Sequence, residues 1–204
     1  AQLEFSQGSL DGAWHWFNHL LVSPDGSRFA FLNRWMGEKG RKRGYGTRMF
    51  TATPEGKRPY ILDPFGKTSH FVWRDPHHVM AWAWHPSAEE SKYYLYEDQT
   101  ENVEIVAPER LVKNGHFSFL PGNQWLLNDT YPDAQRLQHI YLFNLQSQKR
   151  HDLGQFFSAT EYKGEMRCDT HPRISPDGTK VVFDSPHGGN GRQLYLIDIS
   201  RILN

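Results

Sequence analysis

A chain of 204 residues can bury a core of its own, and it is short enough to be one domain or one continuous array. Its 23 lysines and arginines balance 23 acidic residues, so no global field recruits nucleic acid or an anionic membrane. A single cysteine excludes an intrachain disulfide, no apolar run approaches the roughly 20 residues of a membrane span, and the start at Ala1 reads as processed or trimmed.

In chain order, the first punctuation is Ser23-Pro24-Asp25-Gly26, followed by the β-rich runs Arg28–Leu32, Thr47–Thr51 and Arg58–Leu62. Proline presets φ and glycine supplies positive φ, so Pro-Asp-Gly between two such runs marks a hairpin. Val79–Ala83 and Tyr93–Tyr96 follow the degenerate turn Arg74-Asp75-Pro76-His77. Trp125–Asn128 and Ile140–Phe143 follow Leu120-Pro121-Gly122-Asn123. Lys180–Asp184 and Gln193–Ile199 follow Ser175-Pro176-Asp177-Gly178. No segment combines helical periodicity with caps for more than a couple of turns, which makes the chain all-β.

His19, His70, His116 and His171 each stand four residues ahead of one of these turns. The repeat recurs at about 50 residues, the size of one four-stranded propeller blade, which cannot bury its faces alone. The expected division is a closing strand or the end of a preceding blade over residues 1–17, then blades at 18–63, 64–108, 109–153 and 154–204. About four blades of four antiparallel strands leave open faces, so the expectation is part of a larger seven- or eight-bladed ring. A second copy, or the other half of the ring, would complete it.

Radial repetition should gather the four histidines at one mouth of a channel. Imidazoles from neighbouring blades suit a borderline divalent cation, and His19, His116, His171 and Asp169 are the candidate ligands. Loops expected on the same rim add Arg34 and Trp35, Trp84, Asp129 and Tyr131, and the crossover residues Glu165 and Arg167. Arg43, in the basic run Lys39–Arg43, together with Arg167, Arg173, Tyr131 and Trp35, is a candidate contact for an acidic sugar. Each residue also has a plainer role: a histidine can bond an Asp of its own blade, the basic run can be a solvated hairpin tip, and most tryptophans can pack between blades. Arg167 beside Cys168 is expected to lower the thiol pKa, although no base and oxyanion arrangement assembles around it.

The Ser-Pro-Asp-Gly hairpins resemble the TolB-like, WD40-like β-propeller repeat over nearly the whole chain. Three further segments, Gly115-His116-Phe117-Ser118-Phe119-Leu120-Pro121-Gly122, Asn128–Asp133 and Arg167–Ser185, are similar in order and spacing to the C-terminal half of oligogalacturonate lyase-like proteins. Those proteins are propellers of about twice this length. The resemblance implies a divalent cation, typically manganese, held by histidines and a glutamine, with His116 and His171 matching ligands and His70 matching the histidine implicated in proton abstraction. Cys168 stands where the ligand glutamine would be, and Arg173 where a second histidine would follow.

The function implied is binding of an acidic oligosaccharide (a uronide) with metal-assisted β-elimination, in which His70 is the base and Arg34 neutralises charge. The alternative is a noncatalytic TolB-like scaffold for protein interaction. A periplasmic or extracellular location is expected.

Overall fold

The computed structural model describes residues 12–36 and 45–202. They form four antiparallel meanders. The first comprises β1 (Trp14–Val22), β2 (Phe29–Met36), β3 (Gly46–Ala52) and β4 (Tyr60–Asp63), and the second β5 (Phe71–Asp75), β6 (His78–His85), β7 (Glu90–Glu97) and β8 (Val103–Ile105). The third comprises β9 (Ser118–Phe119), β10 (Trp125–Asp129), β11 (Leu137–Asn144) and β12 (Arg150–Phe157). The fourth has three strands among the described residues, β13 (Arg173–Ile174), β14 (Lys180–Ser185) and β15 (Gln193–Asp198). These are propeller blades, and the described residues contain no α-helix.

The turns form as their residues dictate. Gly26 and Gly178 adopt φ of 73° and 74°, and each donates its N–H back to the serine three residues earlier. Ser23 and Ser175 then accept, through their hydroxyls, the N–H of Arg28 and Lys180, which opens the next strand. Asn123 takes the left-handed conformation in the degenerate Leu120-Pro121-Gly122-Asn123 turn, with φ of 57°. Asparagine tolerates that region better than most residues, so the hairpin survives the changed sequence.

The chain divides into two compact units, residues 1–112 and 113–204. In the first, Ala30, Leu32, Met49 and Leu62 of the first blade pack against Trp73, Val79, Ala81, Ala83, Tyr94 and Tyr96 of the second. Within this core Arg28 pairs with Asp98 and donates to Thr51 Oγ1 at 2.6 Å, while the Thr51 hydroxyl donates to Asp98 Oδ1 at 2.6 Å. In the second unit Leu127, Ile140 and Leu142 of the third blade pack against Val181, Phe183 and Ile199. Each such fully buried aliphatic side chain contributes roughly 1.5–3 kcal/mol.

Two strand boundaries differ from the sequence reading. β1 begins at Trp14, ahead of the boundary at residue 18, because Trp14–Phe17 pair with Asn33–Met36. The same pairing carries β2 through Arg34 and Trp35, so these residues lie in a strand and not in the expected loop. The expected contact Arg43 and its basic run lie outside the described residues.

Candidate metal centre

The second unit brings three of the four expected ligands together. One ligand atom each from His116, Asp169 and His171 lies within 4.8 Å of the others. His116 precedes β9, and its backbone N–H donates to Asp129 Oδ1 at 2.6 Å while its ring Nδ1 lies 3.0 Å from Oδ2. Thr170 donates its hydroxyl to the same carboxylate, which is 1% exposed. The His116 Nδ1 is engaged by Asp129, the carboxylate–imidazole pairing found in a carboxylate–histidine–metal relay.

Gly115 makes this contact possible: a Cβ there would stand 2.1 Å from the Asp129 carbonyl oxygen and 2.5 Å from Asn128 Oδ1. Burial opposes ionisation of Asp129, but the bonds from His116 and Thr170 outweigh it and hold the carboxyl below its ordinary value. The plainer role, a histidine bonded to an Asp of its own blade, is thus real for His116.

His171 and His116 have ring centroids 3.9 Å apart. Burial, and then the neighbouring His116, pull the His171 imidazole below its ordinary value, which favours the neutral form that ligates a metal. Its backbone sits at φ 39°, in the left-handed region, and a non-glycine residue there costs on the order of 1 kcal/mol or more. Asp169 is 7% exposed, with Oδ2 2.8 Å from the Arg167 guanidinium and Oδ1 buried without a hydrogen-bond partner. A carboxylate with one buried oxygen unpaired, whose ligand atom lies within 4.8 Å of those of two imidazoles, fits a divalent cation of the Mn, Fe, Ni or Zn type.

Two expected sugar contacts join this corner. The Arg167 guanidinium lies 5.3 Å from the Tyr131 ring centroid, and the Tyr131 ring lies 5.7 Å from that of His116. Gly164, Glu165, Arg167, Cys168, Asp169, His171, Asp184 and Arg192 line a cavity of about 370 Å³. Arg173 is exposed and its charge acts on His171, but it donates to the Pro172 carbonyl at 3.3 Å.

The expectation for Cys168 is corrected. The thiol is buried, and desolvation with Asp184 and Asp169 raises its pKa against the opposing charge of Arg192. Arg192 was not among the sequence candidates. Its only signal is the preceding run Gly188-Gly189-Asn190-Gly191, which frees a loop to turn toward the cavity.

The remaining candidates belong to the first unit. His19 is exposed at an irregularity in β1, with φ of 56°, and burial with the charge of Arg34 lowers its pKa. The Arg34 guanidinium lies over the Tyr45 ring at 4.8 Å, with Nε buried and unpaired among the described residues. His70 immediately precedes β5, its ring 3.4 Å from the Ser69 hydroxyl. Trp35 is corrected as an open stacking platform: it is 7% exposed, closed over by Gly46 and the Arg48 guanidinium.

No protein-family model matches the sequence, and no curated protein matches it. Among solved structures, "Oligogalacturonate lyase in complex with manganese" matches with a TM-score of 0.62 at 12% identity, over 92% of this chain and 51% of that one. TolB from Acinetobacter baumannii matches with a TM-score of 0.57 at 16% identity, over 93% and 56%. The β-propeller domain of the Trilobed protease from Pyrococcus furiosus matches with a TM-score of 0.53 at 10% identity, over 90% and 54%. The chain therefore spans about half the length of these structures. With its four antiparallel sheets, this likeness gives the chain the β-propeller fold that oligogalacturonate lyase and TolB share.

Proposed function

We propose that the protein binds an acidic oligosaccharide at a divalent cation, manganese by analogy with the lyase structure, held by His116, His171 and Asp169. The observation that carries this reading is the gathering of one ligand atom each from His116, His171 and Asp169 within 4.8 Å, with Asp169 Oδ1 buried and unpaired and Arg167 and Tyr131 alongside. When bound, the cation would supply Lewis-acid stabilisation of a uronate carboxylate, whose charge withdrawal acidifies the neighbouring C5–H. Asp129 holds His116 in the tautomer that presents Nε2, and Tyr131 offers an aromatic face.

Cleavage would follow by β-elimination. A base takes the C5 proton, the C–H electron pair becomes the C4–C5 double bond, and the glycosidic oxygen departs from C4.

The test uses chelator-treated protein titrated calorimetrically with Mn²⁺, then with digalacturonate. Mn²⁺ should bind the wild-type protein and not the His116→Ala, His171→Ala double variant. Equal binding by both, or by neither, would reject the centre. The elimination is followed by ultraviolet absorbance of the conjugated unsaturated carboxylate in oligogalacturonides, and a flat trace with Mn²⁺ bound leaves a binding protein without lyase activity.

A further inference from the structure

The lining of the 370 Å³ cavity has a charge balance that a single cation reverses. Glu165, Asp169 and Asp184 supply three carboxylates, while Arg167 and Arg192 supply two guanidiniums. These five side chains make up its formal charge, with Cys168 and His171 counted as neutral. The cavity alone therefore carries one net negative charge and repels an anion, whereas with a divalent cation it carries one net positive charge and attracts one.

The two guanidiniums differ in what they already hold. Arg167 is paired with Asp169 Oδ2 at 2.8 Å and stands over Tyr131. Arg192 lines the same cavity, makes no hydrogen bond or ion pair with the described residues, and exerts its charge on the Cys168 thiol. It follows Gly189 and Gly191, both at φ 77°, in a loop that returns it to the cavity from the end of β14. A planar guanidinium is suited to bidentate carboxylate recognition, and this one has no competing partner among the described residues.

Building on the proposed metal centre, we infer that acidic-ligand binding here is cation-gated: Glu165 and Asp184 repel a carboxylate until His116, Asp169 and His171 hold a divalent cation, and Arg192 then pairs with it. Coupling of this kind is reciprocal. Ligand must raise cation affinity by the same factor by which cation raises ligand affinity.

Calorimetry with Mn²⁺ and digalacturonate on the chelator-treated chain tests this directly. Digalacturonate should bind at least about tenfold more weakly without Mn²⁺, since one charge-assisted pair and the sign of the local field are both at stake. Arg192→Gln should weaken digalacturonate binding to the Mn²⁺-loaded protein about tenfold while changing Mn²⁺ affinity less than about twofold. The Glu165→Gln, Asp184→Asn double variant should bind digalacturonate without Mn²⁺ about five- to tenfold better than wild type.

Neutral galactobiose should respond to none of these changes. If digalacturonate binds equally with and without Mn²⁺, or Arg192→Gln leaves its affinity unchanged, the gating is overturned although the metal centre stands. If Mn²⁺ itself fails to bind, the metal centre is lost and the gating with it.

Discussion

The two units build the same blade pair and use a buried carboxylate for different ends. In the first, Asp98 closes a triad with Arg28 and Thr51 inside the two-blade core, with the Arg28 and Asp98 side chains 8% and 3% exposed. In the second, Asp129 is equally buried, but its partners are Thr170 and His116, and His116 shares a ligand cluster with His171 and Asp169. One carboxylate joins sheets through an arginine. The other orients an imidazole, a group whose remaining nitrogen can do chemistry.

The contrast is broken most severely in the first unit. Asp98→Ala leaves the Arg28 charge buried and unpaired, so it should cost about 3–5 kcal/mol in denaturant unfolding. Arg28→Met with Asp98→Leu should recover most of that loss. If the single variant costs less than about 1 kcal/mol, the triad is not what joins the two sheets.

In the second unit, Asp129→Asn should weaken Mn²⁺ binding about 10- to 100-fold while the fold persists, because the amide no longer orients and polarises His116 as the carboxylate does. Unchanged affinity would reduce Asp129 to a structural partner like Asp98. Gly115→Ala sharpens the same point: its Cβ would meet the Asp129 carbonyl oxygen at 2.1 Å, so it should cost about 1–3 kcal/mol and weaken Mn²⁺ binding through displacement of His116. A stable Gly115→Ala protein with full Mn²⁺ affinity would contradict that packing.

A pH-dependent effect concerns Asp63 in the first unit. Burial raises this carboxyl from 3.8 to about 6, against bonds from Thr68 and the Phe65 N–H. A raised acid contributes its stability below its unfolded value and loses it as pH climbs through the folded one. Asp63→Asn, with the Thr68 hydroxyl accepting from the amide, should therefore be nearly neutral at pH 4 and more stable than wild type by about 3 kcal/mol at pH 7. A difference that does not grow between those pH values would mean the carboxylate is better solvated than its burial indicates.

The blade architecture was legible because it rests on local rules: Ser23-Pro24-Asp25-Gly26 and Ser175-Pro176-Asp177-Gly178 encode their own hairpins, and the intervening runs become β2 and β14. Repeat spacing pointed to His19, His70, His116 and His171 alike, and the expected rim loops added Asp169 and Trp35. The extension of β2 buries Trp35 against Gly46, since no local signal distinguishes a strand end from a loop edge. Arg192 was missed because its relevance comes from a loop returning to a cavity, not from a motif.

The sequence by itself determined the periodic β hairpins and the register of the histidines, because turn chemistry and side-chain alternation act over a few residues. Only the tertiary structure decided which imidazole faces which carboxylate. Asp129 meets His116 and Thr170 across loops far apart in sequence, and packing alone leaves Asp169 Oδ1 without a partner. Tautomer, charge balance and ligand geometry follow from those long-range contacts, which no local pattern encodes.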